Sequence, residues 1–278
     1  MQKKHFYQKG AVNAKTIFDI FLESRIRYLF YDFPLIVENG KSKLHYTLKN
    51  NDKNRKDKFL SLIKKDKDFY YIHLIDTDSC AHTYGPHAKE MKKTLKKTDR
   101  FIQEILLNFD LERDNILIWS DHGMVEVKKS VDLASKLPKF GEGYIYFLDS
   151  TMARFWFFNE SKKKEVLSIL KNQKDGKLLS KKDKKILKAD FKNNFYGDEI
   201  FLMDSGVLLY PNFFNDSLVK GMHGYDLSDE NEKTIFLTNK NSADNGNTED
   251  LFPTLLKLMG LENQTKKLKI DGESLVSS

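Results

Sequence analysis

Two apolar runs separated by an amphipathic stretch constrain the fold of this chain more than any other feature. The first run covers residues 69–75 and the second covers 116–119, and both have the length and character of buried strands. Between them, apolar side chains recur at a helical period from Ala88 to Phe109. Strand–helix–strand units are parallel and right-handed in nearly all cases. The pattern therefore predicts an α/β fold built on a parallel sheet, with 116–119 beside 69–75.

Further elements are predicted on both sides of this unit. Thr16 is expected to begin an amphipathic helix, and a second helical pattern capped by Asn247 and Thr248 ends at Gly260. The middle of the chain is expected to hold a strand pair over 144–148 and 152–158, followed by a helix over 162–170. A hairpin formed by 199–203 and 207–210 is expected after them.

A change of pattern after Met124 suggests the domain organisation. We predict an α/β core made of residues 1–124 and 216–278, with a small α+β subdomain inserted over 125–215. The lysine-rich stretch that ends at Lys192 is interpreted as solvated surface of this insertion and not as a binding patch.

The charge balance bears on the possible partners. The net charge of +7 could suggest a polyanionic partner, but the basic residues are interleaved along the chain with 40 acidic ones, which favours a solvated surface. The single cysteine, Cys80, excludes an internal disulfide framework. No signal-peptide h-region and no membrane-length apolar run is visible. These features predict a soluble, cytoplasmic protein with neither nucleic acid nor membrane as a partner.

Candidate metal ligands fall in three separate clusters near predicted strand ends. Asp78 and His82 are expected in a loop after the first buried strand, and Asp121 and His122 directly follow the next. His223 lies between glycines that permit close backbone approach. Because ligands of open α/β sheets bind at the carboxyl ends of the strands, these side chains are expected to converge. A mixed carboxylate and imidazole set is typical of zinc, although each histidine taken alone is better explained by a local hydrogen bond.

Three motifs carry a resemblance to a known family. They are Asp-Ser-Cys-Ala-His-Thr-Tyr-Gly-Pro over 78–86, Ser-Asp-His-Gly-Met over 120–124 and Met-His-Gly-Tyr-Asp over 222–226. In this order and spacing they resemble the motifs of the type I phosphodiesterase/nucleotide pyrophosphatase family of the alkaline phosphatase superfamily. The resemblance covers most of the chain after Thr16, and it implies an alkaline-phosphatase-like parallel sheet flanked by helices.

The resemblance also implies a two-zinc centre. Asp78, His82 and His223 would hold one zinc ion, and Asp121 and His122 would hold the other. In the family, the second ion is also bound by an Asp from the first strand and by a Thr that begins the following helix. That Thr is the nucleophile, which attacks phosphorus and forms a phosphoenzyme that water then hydrolyses.

The chain departs from the family pattern at its start. Only fifteen residues precede Thr16, and none of them is acidic. The first strand, its Asp and the Thr nucleophile are therefore expected upstream of Met1, either because this is part of a longer enzyme or because the catalytic front end has been lost. Replacement of that Asp by Asp76 or Asp204 is disfavoured. With the Asp missing, we expect about one zinc ion per chain and little or no turnover by the chain alone.

Competing hypotheses follow from these observations. The leading one is a zinc-dependent hydrolase of phosphodiester or pyrophosphate bonds, or the C-terminal portion of one, acting on a small-molecule phosphodiester or nucleotide. The second is a catalytically inactive, metal-binding remnant of the family. A third, a basic nucleic-acid binder, predicts DNA affinity that falls steeply with salt. A sulfatase is disfavoured because the chain has no Cys/Ser-x-Pro-x-Arg motif.

Overall fold

Capping residues in the sequence set the ends of several helices. In the first helix, the backbone N–H of Asp19 donates to Thr16 Oγ1, and the backbone N–H of Thr16 donates to the Asp19 carboxylate. This reciprocal pair satisfies two donors that a helix start would otherwise leave unpaired, and it confirms the predicted start. The computed structural model describes residues 14–32, 51–265 and 268–277. The predictions made for the residues before 14 lie outside this part of the chain.

Helices occupy both halves of the described chain. Their bounds are α1 Ile17–Glu23, α2 Asp52–Leu62, α3 Asp76–Tyr84, α4 Lys89–Leu106, α5 Glu160–Asn172, α6 Lys181–Ile186, α7 Leu251–Leu258 and α8 Glu262–Thr265.

The strands are short, with two to six residues each. Their bounds are β1 Tyr28–Tyr31, β2 Phe69–Ile72, β3 Leu117–Trp119, β4 Val125–Glu126, β5 Lys129–Val131, β6 Tyr144–Leu148, β7 Met152–Phe157, β8 Gly176–Leu178, β9 Glu199–Met203, β10 Val207–Leu209, β11 Gly221–Met222 and β12 Phe236–Thr238. Within the described ranges, no helix combines the length and apolarity that crossing a membrane requires.

The chain divides into two compact units. Unit 1 contains the described residues up to Asp76, then Leu95–Trp119, and the residues from Phe236 onward. Unit 2 contains Thr77–Thr94 and Ser120–Ile235. Unit 2 thus includes 125–215 but also stretches that were assigned to the core from the sequence. The predicted division into a core and an inserted subdomain stays a prediction.

Unit 1 is built on two strand pairs. β1 and β2 are parallel, with Tyr28 opposite Phe69, and β3 is antiparallel to β12. An aromatic cluster packs around the first pair, where Phe18 and Phe30 are buried with ring centroids 4.5 Å apart. The predicted ladder between 69–75 and 116–119 is wrong for the described strands, since β3 pairs with β12 instead. β3 is only three residues long, and contact with β2 is made by side chains, with the Tyr71 and Trp119 ring centroids 5.9 Å apart.

Unit 1 also contains a buried group of charged residues. Arg55 is fully buried and its guanidinium forms ion pairs with Asp32 and Asp52. The Asp52 carboxylate in turn accepts backbone hydrogen bonds from Ile75 at 2.8 Å and Asp76 at 2.9 Å. Burial raises the pKa of Asp52, although these two hydrogen bonds favour its charged form. We call Asp32, Asp52 and Arg55 the closed cluster, because the acids face a cation and hydrogen-bond donors supplied by the chain itself.

Unit 2 is built on a four-stranded antiparallel sheet in the order β6, β7, β9, β8. α5 buries Val166 and Leu170 in its hydrophobic core. The predicted strand pair over 144–148 and 152–158 and the predicted helix over 162–170 are therefore confirmed. The predicted hairpin around Asp204 is wrong, because β10 pairs in parallel with β5 and not with β9. A turn is present at Asp204, whose carbonyl accepts from the Val207 N–H, but it redirects the chain to another strand.

Candidate metal centre

Asp78 and His82 lie on α3, one helical turn apart, and the predicted loop at this position is wrong. Residues at positions i and i+4 of a helix share one face, so the two side chains meet there. His82 Nε2 lies 3.2 Å from Asp78 Oδ1. The convergence predicted for these two residues is therefore achieved by helical spacing.

Two further histidines from distant parts of the sequence approach the same carboxylate oxygen. The Nε2 atom of His122 lies 3.9 Å from Asp78 Oδ1, and that of His223 lies 4.0 Å from it. His122 follows β3 along the chain, and His223 follows β11. Three potential ligand atoms lie within 4.8 Å of one another, as the donors of a single metal ion would. They belong to Asp78, His82 and His223.

Backbone carbonyls orient two of the imidazole rings. His82 Nδ1 lies 2.8 Å from the carbonyl oxygen of Gly221, and His122 Nδ1 lies 2.9 Å from that of Gly123. With its ring proton on Nδ1, each histidine donates to the carbonyl and keeps a lone pair on Nε2, towards Asp78. Gly221 is required for the first contact, because a Cβ atom there would lie 2.5 Å from the Ala81 carbonyl oxygen.

The Asp78 carboxylate supplies the test of whether a cation fits this group. Asp78 Oδ1 is shielded from solvent and receives no hydrogen bond of acceptable geometry from the residues that the structure describes, despite the 3.2 Å approach of His82. A buried anionic oxygen without a donor is costly, and it faces imidazole nitrogens that carry lone pairs. The donor set therefore fits a divalent cation, and one carboxylate oxygen with imidazole nitrogens is the chemistry of zinc sites.

The electrostatics of the group are strongly coupled. Burial alone would raise the pKa of Asp78, but His82 and the neighbouring imidazoles outweigh it and lower that pKa. Burial would lower the pKa of His82, but Asp78 and the Gly221 carbonyl outweigh it and raise that pKa. Burial and repulsion from His122 and His82 lower the pKa of His223 to about 4. His223 is therefore neutral at pH 7 and offers a lone pair.

Asp121 lies at the edge of this group. Its side chain is 74% exposed, and its Oδ2 lies 3.6 Å from His122 Nε2. Asp121 and His122 are thus neighbours, as expected for two ligands of one ion, but they are not part of the three-residue group. The rings of His122 and His223 stack with centroids 3.5 Å apart. The assignment of Asp121 and His122 to a second ion stays a prediction.

Two other acidic residues near the motifs have a structural role in the fold. Asp76 accepts from the backbone N–H of Asp52 and from Lys97 Nζ, each at 3.1 Å. Asp226 pairs with Lys177 at 2.7 Å and accepts from Ser228, so it holds the loop after His223.

Glu232 was not predicted from the sequence. It is buried at 8% exposure and its carboxylate accepts backbone hydrogen bonds from the residues next to His223. It belongs to the polar run Asp-Glu-Asn-Glu over 229–232, which has the composition of an exposed loop. No local signal distinguishes this glutamate from its neighbours.

Comparison with known proteins identifies related sequences. The profile of the family described as type I phosphodiesterase/nucleotide pyrophosphatase matches residues 5–226. Human ectonucleotide pyrophosphatase/phosphodiesterase family member 7 is 28% identical over 183 residues, which is 62% of this chain and 40% of the human protein. The catalytic subunit of mouse GPI ethanolamine phosphate transferase 3 is 40% identical over 58 residues, 20% of this chain and 5% of that protein. The chain thus matches about two fifths of the length of the first relative.

Solved structures share the fold. Murine ectonucleotide pyrophosphatase/phosphodiesterase 5 has a TM-score of 0.72 and 20% sequence identity, and the match covers 94% of this chain and 73% of the murine one. An inactive variant of the murine protein, solved in complex with AMP, has a TM-score of 0.71 over the same shares of both chains. The predicted alkaline-phosphatase-like α/β fold is confirmed.

Proposed function

Because the chain belongs to the type I phosphodiesterase/nucleotide pyrophosphatase family, we propose that it is a zinc-dependent hydrolase of phosphodiester or pyrophosphate bonds, or the metal-binding portion of one. The observation that carries this proposal is the convergence of His82 and His223 on the shielded Oδ1 of Asp78. A set of nitrogen and oxygen donors around an unsatisfied anion needs a cation, and a phosphoryl-transfer site uses one.

Zinc suits this donor set better than magnesium or calcium. Both of those ions prefer sites made of oxygen ligands, whereas this group offers two imidazole nitrogens for each carboxylate oxygen. When bound, zinc supplies positive charge that neutralises the oxygens of a phosphoryl group. In this proposal Asp78, His82 and His223 hold one zinc ion, while Asp121 and His122 serve a second.

The protein's own contribution is to orient the donors before a metal arrives. The Gly221 carbonyl fixes the ring of His82, and the Gly123 carbonyl fixes that of His122. Such fixed rings lose little freedom on binding, and partners of this kind typically change metal affinity 10–100-fold. No residue of the described chain is assigned as the nucleophile.

The proposed substrate is a small-molecule phosphodiester or a nucleotide. The family description names nucleotide pyrophosphatases, and the murine structural relative has been solved in complex with AMP. Both facts favour a nucleotide over other phosphodiesters. The cytoplasmic location inferred from the sequence stays a prediction.

Metal analysis combined with a substrate panel tests the proposal. Purified protein is analysed for zinc and assayed on bis(p-nitrophenyl) phosphate and on dinucleotide substrates, with His223→Ala as the comparison. We expect the unchanged protein to retain zinc, and less than about half an equivalent would contradict the site. Zinc-dependent hydrolysis that is absent from His223→Ala would identify an enzyme. Zinc retention without hydrolysis would favour the metal-binding alternative.

A further inference from the structure

One buried carboxylate holds the loop that carries His223. Glu232 Oε2 accepts from the backbone N–H of Gly224 at 3.1 Å, and Oε1 accepts from that of Tyr225 at 2.9 Å. Only 8% of Glu232 is exposed, so water does not compete strongly for these two bonds. The side chain of Glu232 therefore fixes the two peptide groups that directly follow a candidate ligand.

The backbone of the same segment holds the turn that carries His122. The carbonyl of Glu232 accepts from the backbone N–H of Gly123 at 3.0 Å, and the carbonyl of Asn231 accepts from that of Met124 at 2.7 Å. The approach is close, because a Cβ atom built on Gly123 would lie 2.0 Å from the Asn231 carbonyl oxygen. Residues 231–232 thus fix the peptide groups that follow a second candidate ligand.

The two loops meet at the stacked rings of His122 and His223, whose planes are 13° apart. From these contacts we infer that Glu232 is a positioning residue for metal binding, which sets the separation of the His122 and His223 imidazoles. The inference rests on the proposed metal function of the site. The Glu232 carboxylate acts through the peptide groups that it binds.

A carboxylate is the side chain that this role requires. It has two oxygens and no donor, so it accepts from two diverging N–H groups at the same time. A glutamine of the same shape has one oxygen, and its NH₂ group would face the second N–H. Glu232→Gln therefore removes one hydrogen bond and introduces a repulsive contact with almost no change in volume.

The experiment compares zinc affinity in the full chain with and without this carboxylate. Zinc affinity is measured by competition with a chromophoric chelator, and the Co²⁺-loaded protein gives an absorption spectrum that reports ligand geometry. The matched control is Asp250→Asn. Asp250 is also buried, at 9% exposure, and it accepts backbone hydrogen bonds from Asn247 at 2.7 Å and Glu273 at 2.8 Å, in unit 1.

We expect Glu232→Gln to weaken zinc binding about 10–100-fold and to alter the Co²⁺ spectrum, as loss of an orienting partner does. Asp250→Asn should lower thermal stability but leave both readouts unchanged. If Glu232→Gln does not fold, Glu232→Asp, which keeps the charge on a shorter side chain, replaces it and should also weaken zinc binding.

Three results would overturn the inference, and they are distinguishable. Unchanged affinity and spectrum in the folded Glu232 variants, with zinc bound by the unchanged protein, would refute the positioning role alone. Absence of zinc and Co²⁺ binding by the unchanged protein would refute the proposed function and the inference together. Equal losses of affinity in Glu232→Gln and Asp250→Asn would also refute it, because the effect would then report general destabilisation.

Discussion

Two groups of charged side chains, one in each unit, differ in how their charge is balanced. In the closed cluster of unit 1, Arg55 faces Asp32 and Asp52, and Asp52 also binds two backbone N–H groups. In the candidate metal centre of unit 2, three imidazole nitrogens approach the Asp78 Oδ1 atom, which accepts no hydrogen bond from the residues that the structure describes. The closed cluster contains its own cation, whereas the candidate metal centre gathers nitrogen donors around a carboxylate oxygen without a cationic partner of this kind.

The difference separates a structural from a ligand-binding arrangement of buried charge. A buried acid that meets an arginine and hydrogen-bond donors is compensated within the fold, and removing its partner destabilises the protein. At the candidate metal centre the shielded Oδ1 of a partly exposed acid, Asp78, lies among imidazole nitrogens, and a cation from outside would compensate its charge. Burial of a carboxylate alone therefore does not indicate a metal site, and the chemistry of its neighbours decides.

The largest expected effect comes from opening the closed cluster. Arg55→Leu removes the cation between Asp32 and Asp52 and should lower the free energy of unfolding by about 3–5 kcal/mol, measured by urea denaturation. Lys53→Ala is the control, because the Lys53–Asp57 pair is exposed and its loss should leave the free energy of unfolding almost unchanged. Zinc affinity of the folded Arg55→Leu protein should be unchanged. A similar decrease in the free energy of unfolding for both variants would contradict the proposed difference between the closed cluster and an exposed ion pair.

A somewhat smaller effect is expected from adding a cation to the metal centre. Zinc at about a hundred times its dissociation constant should raise the free energy of unfolding by about 2.7 kcal/mol, because it binds the folded state. His223→Ala should abolish most of this gain. His87→Ala should keep it, since His87 is exposed and lies outside the three-residue group. A full gain in His223→Ala, measured by the same urea titration, would show that zinc binds elsewhere.

The smallest effect concerns an ion pair that solvent reaches. Arg27 donates to the Asp68 carboxylate through its side chain and its backbone N–H, and these bonds lower the pKa of Asp68 to about 2. Because the two side chains are 64% and 37% exposed, Asp68→Asn should cost no more than about 1 kcal/mol at pH 7. A depressed pKa means that the stabilisation is present above the ordinary value of 3.8 and disappears as pH falls through about 2.

Urea titrations of both proteins at pH 7 and at a series of values down to below pH 2 check this sign. The unchanged protein and Asp68→Asn should differ at pH 7 and converge at low pH. A difference that persists when the carboxylate is protonated would mean that packing, not charge, underlies the contribution of this pair.

The sequence predicted those parts of the fold whose signals are local. The Thr16 cap, the strand pair at 144–148 and 152–158, and the helix at 162–170 depend on short-range patterns and are confirmed. The strand partner of 116–119 was wrong, because pairing depends on which distant strand lies alongside. Polarity favoured a loop for Asp78 and His82, although their spacing also fits one helical turn.

The candidate site was predictable to the extent that its chemistry is carried by motifs. Asp78, His82, His122 and His223 were chosen by residue type and order, and the structure gathers all four. Glu232 was not predictable, because its role comes from backbone groups that reach it only in the folded chain. Residues that bind metals have characteristic side chains, whereas those that support them need only a suitable position.

The contact between Gly123 and residues 231–232 restricts how this protein can change over evolution or in the laboratory. Any side chain at position 123 would occupy space already filled by main chain, so a saturation library selected for zinc retention should return glycine there. Substitutions at position 231 should not be restricted by this contact, because Asn231 contributes its backbone carbonyl and not its side chain to it.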